Sequence, residues 1–309
     1  MARLCAVSVD LDETPNYFAI HGLAEPTGSS AHAVYDLALD RLETLSRGTR
    51  APLTLFAIGA DLRRAESATR LRALADAGHE VANHTLDHRY DLTRLPRDEM
   101  KRQVEAGAAL IEAATGRKPV GFRAPGYTVS DTLFEVLEEA GVAYASSVFP
   151  CPPYYFAKAV RLAQMRLFGR TSRSILDVPS VLRAPTRPYR VGRPYWKRGR
   201  GIWELPIQVT RGLRLPFIGT TLTLAGREKA RWLTRLVVGE PLVNLELHGI
   251  DVLDADDGLA ALRGHQPDVG VPHGEKLETL ATVVDVLRDA GYEFVLLRDA
   301  ARAFAAETA

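Results

Sequence analysis

Asn83-His84-Thr85-Leu86-Asp87-His88 places two imidazoles four positions apart. On one helical turn such a pair points the same way and can grip a single divalent ion. Near the N-terminus, Val9-Asp10-Leu11-Asp12-Glu13 closes an apolar run with acids. Two histidines and one carboxylate leave coordination positions open, as catalytic rather than structural zinc sites do. A second carboxylate beside them is then free to act as a base.

Those residues need strand ends to hold them, and the pattern supplies candidates. Leu4–Val9 reads as a first strand, and Gly78-His79-Glu80-Val81-Ala82-Asn83 as a buried strand that stops where the histidine pair begins. Leu53–Gly59, Val120–Phe122, Val142–Ser147, Leu242–Leu247 and Glu293–Leu297 read as further strands. Between them lie stretches of helical period: Ala31–Leu45, Ser67–Ala77, a helix from Pro96 to about Thr115, Asp131–Ala140, Arg227–Val238 and Glu275–Ala290. Alternating strands and helices predict parallel strands wrapped by helices, in a barrel or an open sheet.

The composition is that of a soluble globular chain: 309 residues, 46% hydrophobic, 25% charged, net charge +1. A near-zero charge does not advertise a polyanionic partner. Two distant cysteines, Cys5 and Cys151, form no disulfide framework and point to a reducing compartment. No apolar run reaches transmembrane length. The start is too short for a signal peptide and reads as a strand, so a cytoplasmic protein is expected.

One stretch departs from this average. From about Cys151 to Gly201 the chain is rich in Pro, Tyr and Arg, and Asp177 is the one acid between Lys158 and Arg200. Within it, Ala157–Gly169 interleaves Lys158, Arg161 and Arg166 with apolar residues, and Arg170 follows. Such a helix either packs on the body with a solvated basic face or lies at an anionic membrane interface. The apolar run Leu215-Pro216-Phe217-Ile218-Gly219 suits either reading. No nucleic-acid motif accompanies the basic residues, and no nucleic-acid partner is expected.

Five blocks, in order, resemble the polysaccharide deacetylases of carbohydrate esterase family 4, the NodB-homology group. They are Val9-Asp10-Leu11-Asp12, Asn83–His88, Phe122-Arg123-Ala124-Pro125-Gly126-Tyr127, Trp203-Glu204-Leu205-Pro206-Ile207 and Asn244-Leu245-Glu246-Leu247-His248. The resemblance implies an irregular (β/α) barrel of the NodB type spanning 1–309 as a single catalytic domain, with the basic stretch at about 151–201 inserted. It implies that Asp12, His84 and His88 hold a divalent metal, most often Zn2+, with Co2+, Ni2+, Mn2+ or Fe2+ as alternatives. Asp10 would be the general base, Arg123 its orienting partner and His248 the general acid. The Gly126 amide would help hold the oxyanion, and Tyr127 and Trp203 would form substrate walls.

The chemistry asked of such a site is coherent. An amide carbonyl is a poor electrophile, and a metal polarises it while lowering the pKa of bound water to about 7. The departing amine needs a proton, and histidine, with an unperturbed pKa of roughly 6.5, can supply it.

The chain differs from the common family pattern in three places. Leu11 separates the two aspartates, Gly126-Tyr127 replaces the usual Tyr-Gly order, and the usual aspartate-tryptophan block is missing. The spaced aspartates resemble the branch that acts on lipid-linked sugars. The expected function is metal-dependent removal of an acetyl or formyl group from an amino sugar of a cell-envelope or polyprenyl-phosphate-linked saccharide, with a peripheral position at the inner membrane face as a further expectation. The alternatives are an allantoinase-like amidase on the same fold and a catalytically silent glycan-binding module. Glu13 is expected at the surface or behind the site, His79 in a structural role, and Asp251 as a group that could tune an imidazole. His21 and His273 suit either a cleft or solvent.

Overall fold

The computed structural model describes residues 2–169 and 172–307. Arg170 of the basic run lies outside the described residues.

The strands are β1 (Arg3–Asp10), β2 (Leu53–Ala57), β3 (Glu80–Asn83), β4 (Gly121–Phe122), β5 (Tyr144–Ala145), β6 (Tyr189–Val191), β7 (Arg198–Glu204), β8 (Leu242–His248) and β9 (Tyr292–Phe294). The helices are α1 (Thr14–Ile20), α2 (Leu39–Thr49), α3 (Ala65–Asp76), α4 (Arg97–Thr115), α5 (Asp131–Glu139), α6 (Pro152–Leu167), α7 (Gly219–Arg235), α8 (His273–Asp289) and α9 (Leu297–Glu307).

Among the described residues nine strands form one sheet in the order β6-β7-β5-β4-β3-β2-β1-β8, with β9 paired to β1. Every pairing is parallel except β6 with β7. β1 is buried along seven of its eight residues, as a strand covered on both faces must be. The sheet curls into a half-barrel of the expected α/β type. Among the described residues no ladder closes it between its last parallel strands. The Asn244 amide instead donates to the carbonyls of Leu205 and Pro206, at 3.1 and 3.3 Å, and a single bridge joins Ile218 to Glu246.

Helix α9 plugs the opposite end, where sequence periodicity gave only a strand running to Leu297. Glu80 accepts hydrogen bonds there from the Arg298 amide, the Thr54 hydroxyl and the Tyr144 hydroxyl. Phe304 and Trp203 pack together at this end, 5.9 Å between ring centroids.

The basic stretch is more than a loop over the mouth. Its first part is α6, and its second part supplies β6 and β7, the edge of the sheet itself. Leu215–Gly219 also turns inward, with Phe217 and Ile218 buried, so it offers no membrane surface.

Candidate active site

Parallel strands end on the same side, and the polar residues gather there. Asp10 ends β1, His84 and Arg123 directly follow β3 and β4, and His248 ends β8. In α/β barrels this is the face on which active sites are built.

The histidine pair departs from the helical expectation. Residues 84–88 form a bend, with Thr85 at φ 71° and His88 at φ 50°. The left-handed backbone, not helical pitch, brings both rings to one side, their centroids 4.8 Å apart. Helix α4 secures this bend. Gln103 accepts from the Asp87 amide through its side chain and from the Leu86 amide through its carbonyl, and the Asn83 side-chain amide donates to the Val104 carbonyl. The approach depends on Gly107. A Cβ there would sit 2.7 Å from Asn83 Oδ1 and from the Thr85 backbone.

Asp12 completes a tight cluster. Its carboxylate oxygens lie 3.2 Å from His84 Nε2 and 3.2 Å from His88 Nε2. Nevertheless, among the described residues Asp12 Oδ1, His84 Nε2 and both ring nitrogens of His88 are buried without a hydrogen bond. Buried polar atoms are seldom left so, and here one such atom from each of the three residues converges. The three side chains form a group that can hold a metal ion. His84 Nδ1 lies 2.8 Å from the Arg123 carbonyl, which can only accept, so Nδ1 carries the proton and Nε2 presents its lone pair inward. Burial works to raise the Asp12 carboxyl, but the two imidazoles outweigh it and hold it well below the usual range. Burial lowers His88 despite Asp12, favouring the neutral ring a metal requires.

Asp10 lies beside the cluster. Its Oδ2 is 3.7 Å from His84 Nε2 and 3.9 Å from His248 Nε2. Its Oδ1 accepts from the Arg123 guanidinium at 2.6 Å. Arg123 is fully buried, and its other donors reach the Ser146 carbonyl, the Ser146 hydroxyl and the Ser8 hydroxyl, each within 2.8 Å. Its guanidinium carbon also lies 4.0 Å from the centroid of the Phe56 ring. One face of Asp10 is thus fixed, and the other is directed at the cluster.

His248 stands opposite, and its partner is Glu246, with a carboxylate oxygen 2.9 Å from Nδ1. Two residues apart on a strand, both side chains share one face. Burial disfavours the imidazolium, but the Glu246 and Asp10 carboxylates outweigh it and push His248 well above its ordinary value. Asp251 contacts the His248 backbone amide, at 2.8 Å, and the Thr220 hydroxyl. The carboxylate that pairs with the ring is therefore Glu246, whereas the Asp251 carboxylate bonds the His248 backbone.

A cleft of about 310 Å³ opens onto these groups, lined by Asp12, Gly126, Tyr127 and His248 among others. Gly126 and Tyr127 both have positive φ, 61° and 60°. The Tyr127 amide is spent on the Ala124 carbonyl. Tyr127 packs edge-on against His248, Phe149 and Tyr154. Trp203 is not brought to this cleft. It packs beside α9 because its position on β7 faces the plugged end, so its expected place as a substrate wall is corrected. Trp196 packs on Tyr195, away from the cleft lining.

The other acids and histidines singled out in the sequence have structural partners. Glu13 is buried, not superficial, and accepts from the Thr14, Val34 and Tyr35 amides. Burial raises it to about 7 despite those bonds. His79 accepts from the Leu53 amide. His21 stacks on His265, and His273 pairs with Asp254. Sequence reasoning gave no role to Glu246, Ser8, Ser146, Tyr17, Tyr90 or Tyr154. For Glu246 the two-residue spacing from His248 was the available signal.

Half-barrel and cluster together define an α/β protein with a metal-competent mouth at the C-terminal ends of its strands. Comparison with known proteins shows what the chain resembles. Residues 35–145 match the family model described as polysaccharide deacetylase, a span that includes His84, His88 and Arg123. The chain is 26% identical over 159 residues to the peptidoglycan deacetylase of Helicobacter pylori, covering 49% of this chain and 52% of that protein. It is 37% identical over 95 residues to the chitooligosaccharide deacetylase of Sinorhizobium fredii, 30% of this chain and 43% of that protein. The chain therefore spans about half or less of the curated relatives it matches. A crystal structure from Mycobacterium smegmatis, assigned to the polysaccharide deacetylases, shares the fold with a TM-score of 0.64 at 19% identity, covering 100% of this chain and 92% of that one. Over residues 35–145 the chain thus resembles the polysaccharide deacetylases, and its fold is the one seen in the Mycobacterium smegmatis structure.

Proposed function

We propose that the protein hydrolyses the N-acyl group, acetyl or formyl, of an amino sugar. The observation that carries this reading is the buried Asp12-His84-His88 cluster, whose inward atoms lack hydrogen bonds, flanked by Asp10 on one side and His248 on the other.

In this reading Asp12, His84 and His88 hold a divalent ion, with Zn2+ the best match to a donor set of two imidazoles and a carboxylate. Such an ion supplies Lewis-acid polarisation of the amide carbonyl and makes water more acidic. Asp10 takes the proton from the attacking water, and Arg123 keeps its carboxylate turned to that task. The Gly126 amide is assigned to the oxyanion, since the neighbouring Tyr127 amide is already bonded to the Ala124 carbonyl. His248, kept protonated by Glu246, delivers a proton to the departing amine nitrogen. Tyr127 forms a wall of the sugar site.

The test is a product screen. Soluble chitooligosaccharides, nucleotide-linked amino sugars and polyprenyl-phosphate sugars are offered, with acetate and formate measured separately. Release of either acid with formation of the free amine is expected. Failure on all three classes would overturn the reading.

The reading extends to a lipid-linked saccharide met at an anionic membrane surface. Among the described residues no helix is long and apolar enough to cross a membrane. Helix α6, however, exposes apolar side chains outward: Phe156 and Val160, with Leu167 and Phe168 about 80% exposed at its end. Exposed Arg161 and Arg166 stand among them. Apolar residues bordered by arginines suit headgroups and phosphates. Cys5 and Cys151 are buried free thiols, which supports the cytoplasmic face. The protein should co-sediment with phosphatidylglycerol vesicles at low ionic strength and release as salt rises. No sedimentation at low salt, or no loss in a Phe156→Ser/Leu167→Ser variant, would remove the membrane step.

A further inference from the structure

We propose that Lys158 is a specificity-determining residue that binds an anionic substituent, a phosphate or a carboxylate, on the sugar. The inference rests on the reading of the protein as a sugar N-acyl hydrolase and names a feature of its substrate.

Helix α6 has two functional sides. Arg161 and Arg166 are exposed on it, whereas Lys158 turns inward and lines the same cleft as Asp12 and His248. Among the described residues lining that cleft it is the one lysine or arginine. Its ammonium donates to the Gly126 carbonyl at 3.1 Å. An ammonium has three donors, so two remain for a ligand. Among the described residues no carboxylate forms an ion pair with it, and Asp177 acts on it only from farther away. Burial pushes Lys158 down to about 8, against the opposing pull of Asp177, which leaves it largely cationic at neutral pH.

A cation desolvated beside one neutral carbonyl, with the Tyr154 ring 5.8 Å away, is only partly compensated, and an arriving anion would compensate it through charge-assisted hydrogen bonds. Its hold on Gly126 fixes where that anion sits, next to the loop whose amide is assigned to the oxyanion. The rest of the lining suits a sugar: Ser174, Thr220 and Gln266 are polar, and Tyr127 and Tyr154 offer ring faces. The anion would therefore be carried by the sugar being deacylated, one substituent away from the reacting amide.

The experiment compares three probes: N,N′-diacetylchitobiose, which is neutral, N-acetylglucosamine 1-phosphate and N-acetylmuramic acid. It measures kcat/KM for each, and calorimetric binding of each, on wild type, Lys158→Met and Lys158→Arg. In wild type one anionic probe is preferred, which separates phosphate from carboxylate. The anionic-to-neutral ratio should fall at least about tenfold in Lys158→Met and stay within about threefold in Lys158→Arg, the loss expected for one charge-assisted contact. An unchanged ratio in Lys158→Met, with hydrolysis proceeding, would overturn the inference and leave the hydrolase reading intact. Selective loss of anion binding without hydrolysis of any probe would support the inference and count against the hydrolase reading.

Discussion

Replacing Asp10 with Asn should lower kcat for N-acyl hydrolysis by about 10²–10⁴-fold, the usual contribution of a positioned general base, with metal still bound. The reason is positional. Asp10 is not one of the three residues whose inward atoms converge, and its Oδ2 lies 3.7 Å or more from both His84 and His248. An asparagine keeps an acceptor for Arg123 but cannot take a proton from water. The variant also removes a charge beside a buried guanidinium, so its thermal unfolding has to be followed alongside the rate. The fold is expected to survive. Arg123 retains the Ser8 and Ser146 contacts, and the Glu246 carboxylate also acts on it. A folded, metal-loaded Asp10→Asn protein with wild-type turnover would refute the assignment of the base.

The second large effect is expected from His88→Asn, which should weaken metal binding by more than about 100-fold, since even second-shell changes cost 10–100-fold. Turnover should fall with it and return only at high added Zn2+. Asparagine is the informative replacement because it tolerates the left-handed backbone that His88 adopts at φ 50°. His88 also makes no ring hydrogen bond whose loss would unfold the bend. His84 is a poorer choice, because its Nδ1 supports the Arg123 carbonyl. Equal zinc affinity in His88→Asn and wild type would place the ion elsewhere.

Which parts of this were readable from the residues follows from how local each signal is. The α/β alternation was legible in the apolar runs, and Asp10, Asp12, His84, Arg123 and His248 were named together through the five family-like blocks; the structure places them at neighbouring strand ends. The conformation of residues 84–88 was not. A four-residue spacing suggests a helical turn, whereas the bend is imposed by contacts with Gln103, Val104 and Gly107 on α4, far away in sequence. Trp203 was assigned to the substrate through the resemblance, but it packs on Phe304 at the plugged end, away from the strand ends that carry the site. Helix α9 was missed although Arg298–Glu307 is alanine-rich, because the preceding strand was read through Leu297. Lys158 was legible only as one of many basic residues. Its inward turn depends on how α6 lies across the cleft, which no local pattern records.

The most direct test of the central claim is a paired measurement on one set of preparations. Wild type, Asp10→Asn and His88→Asn are stripped with chelator and reloaded with limiting Zn2+. Bound metal per chain and acetate or formate release from an N-acylated sugar are then measured together. The account predicts one ion and turnover in wild type, one ion without turnover in Asp10→Asn, and neither in His88→Asn. Stripped wild-type protein that hydrolyses the sugar as fast as reloaded protein would contradict it.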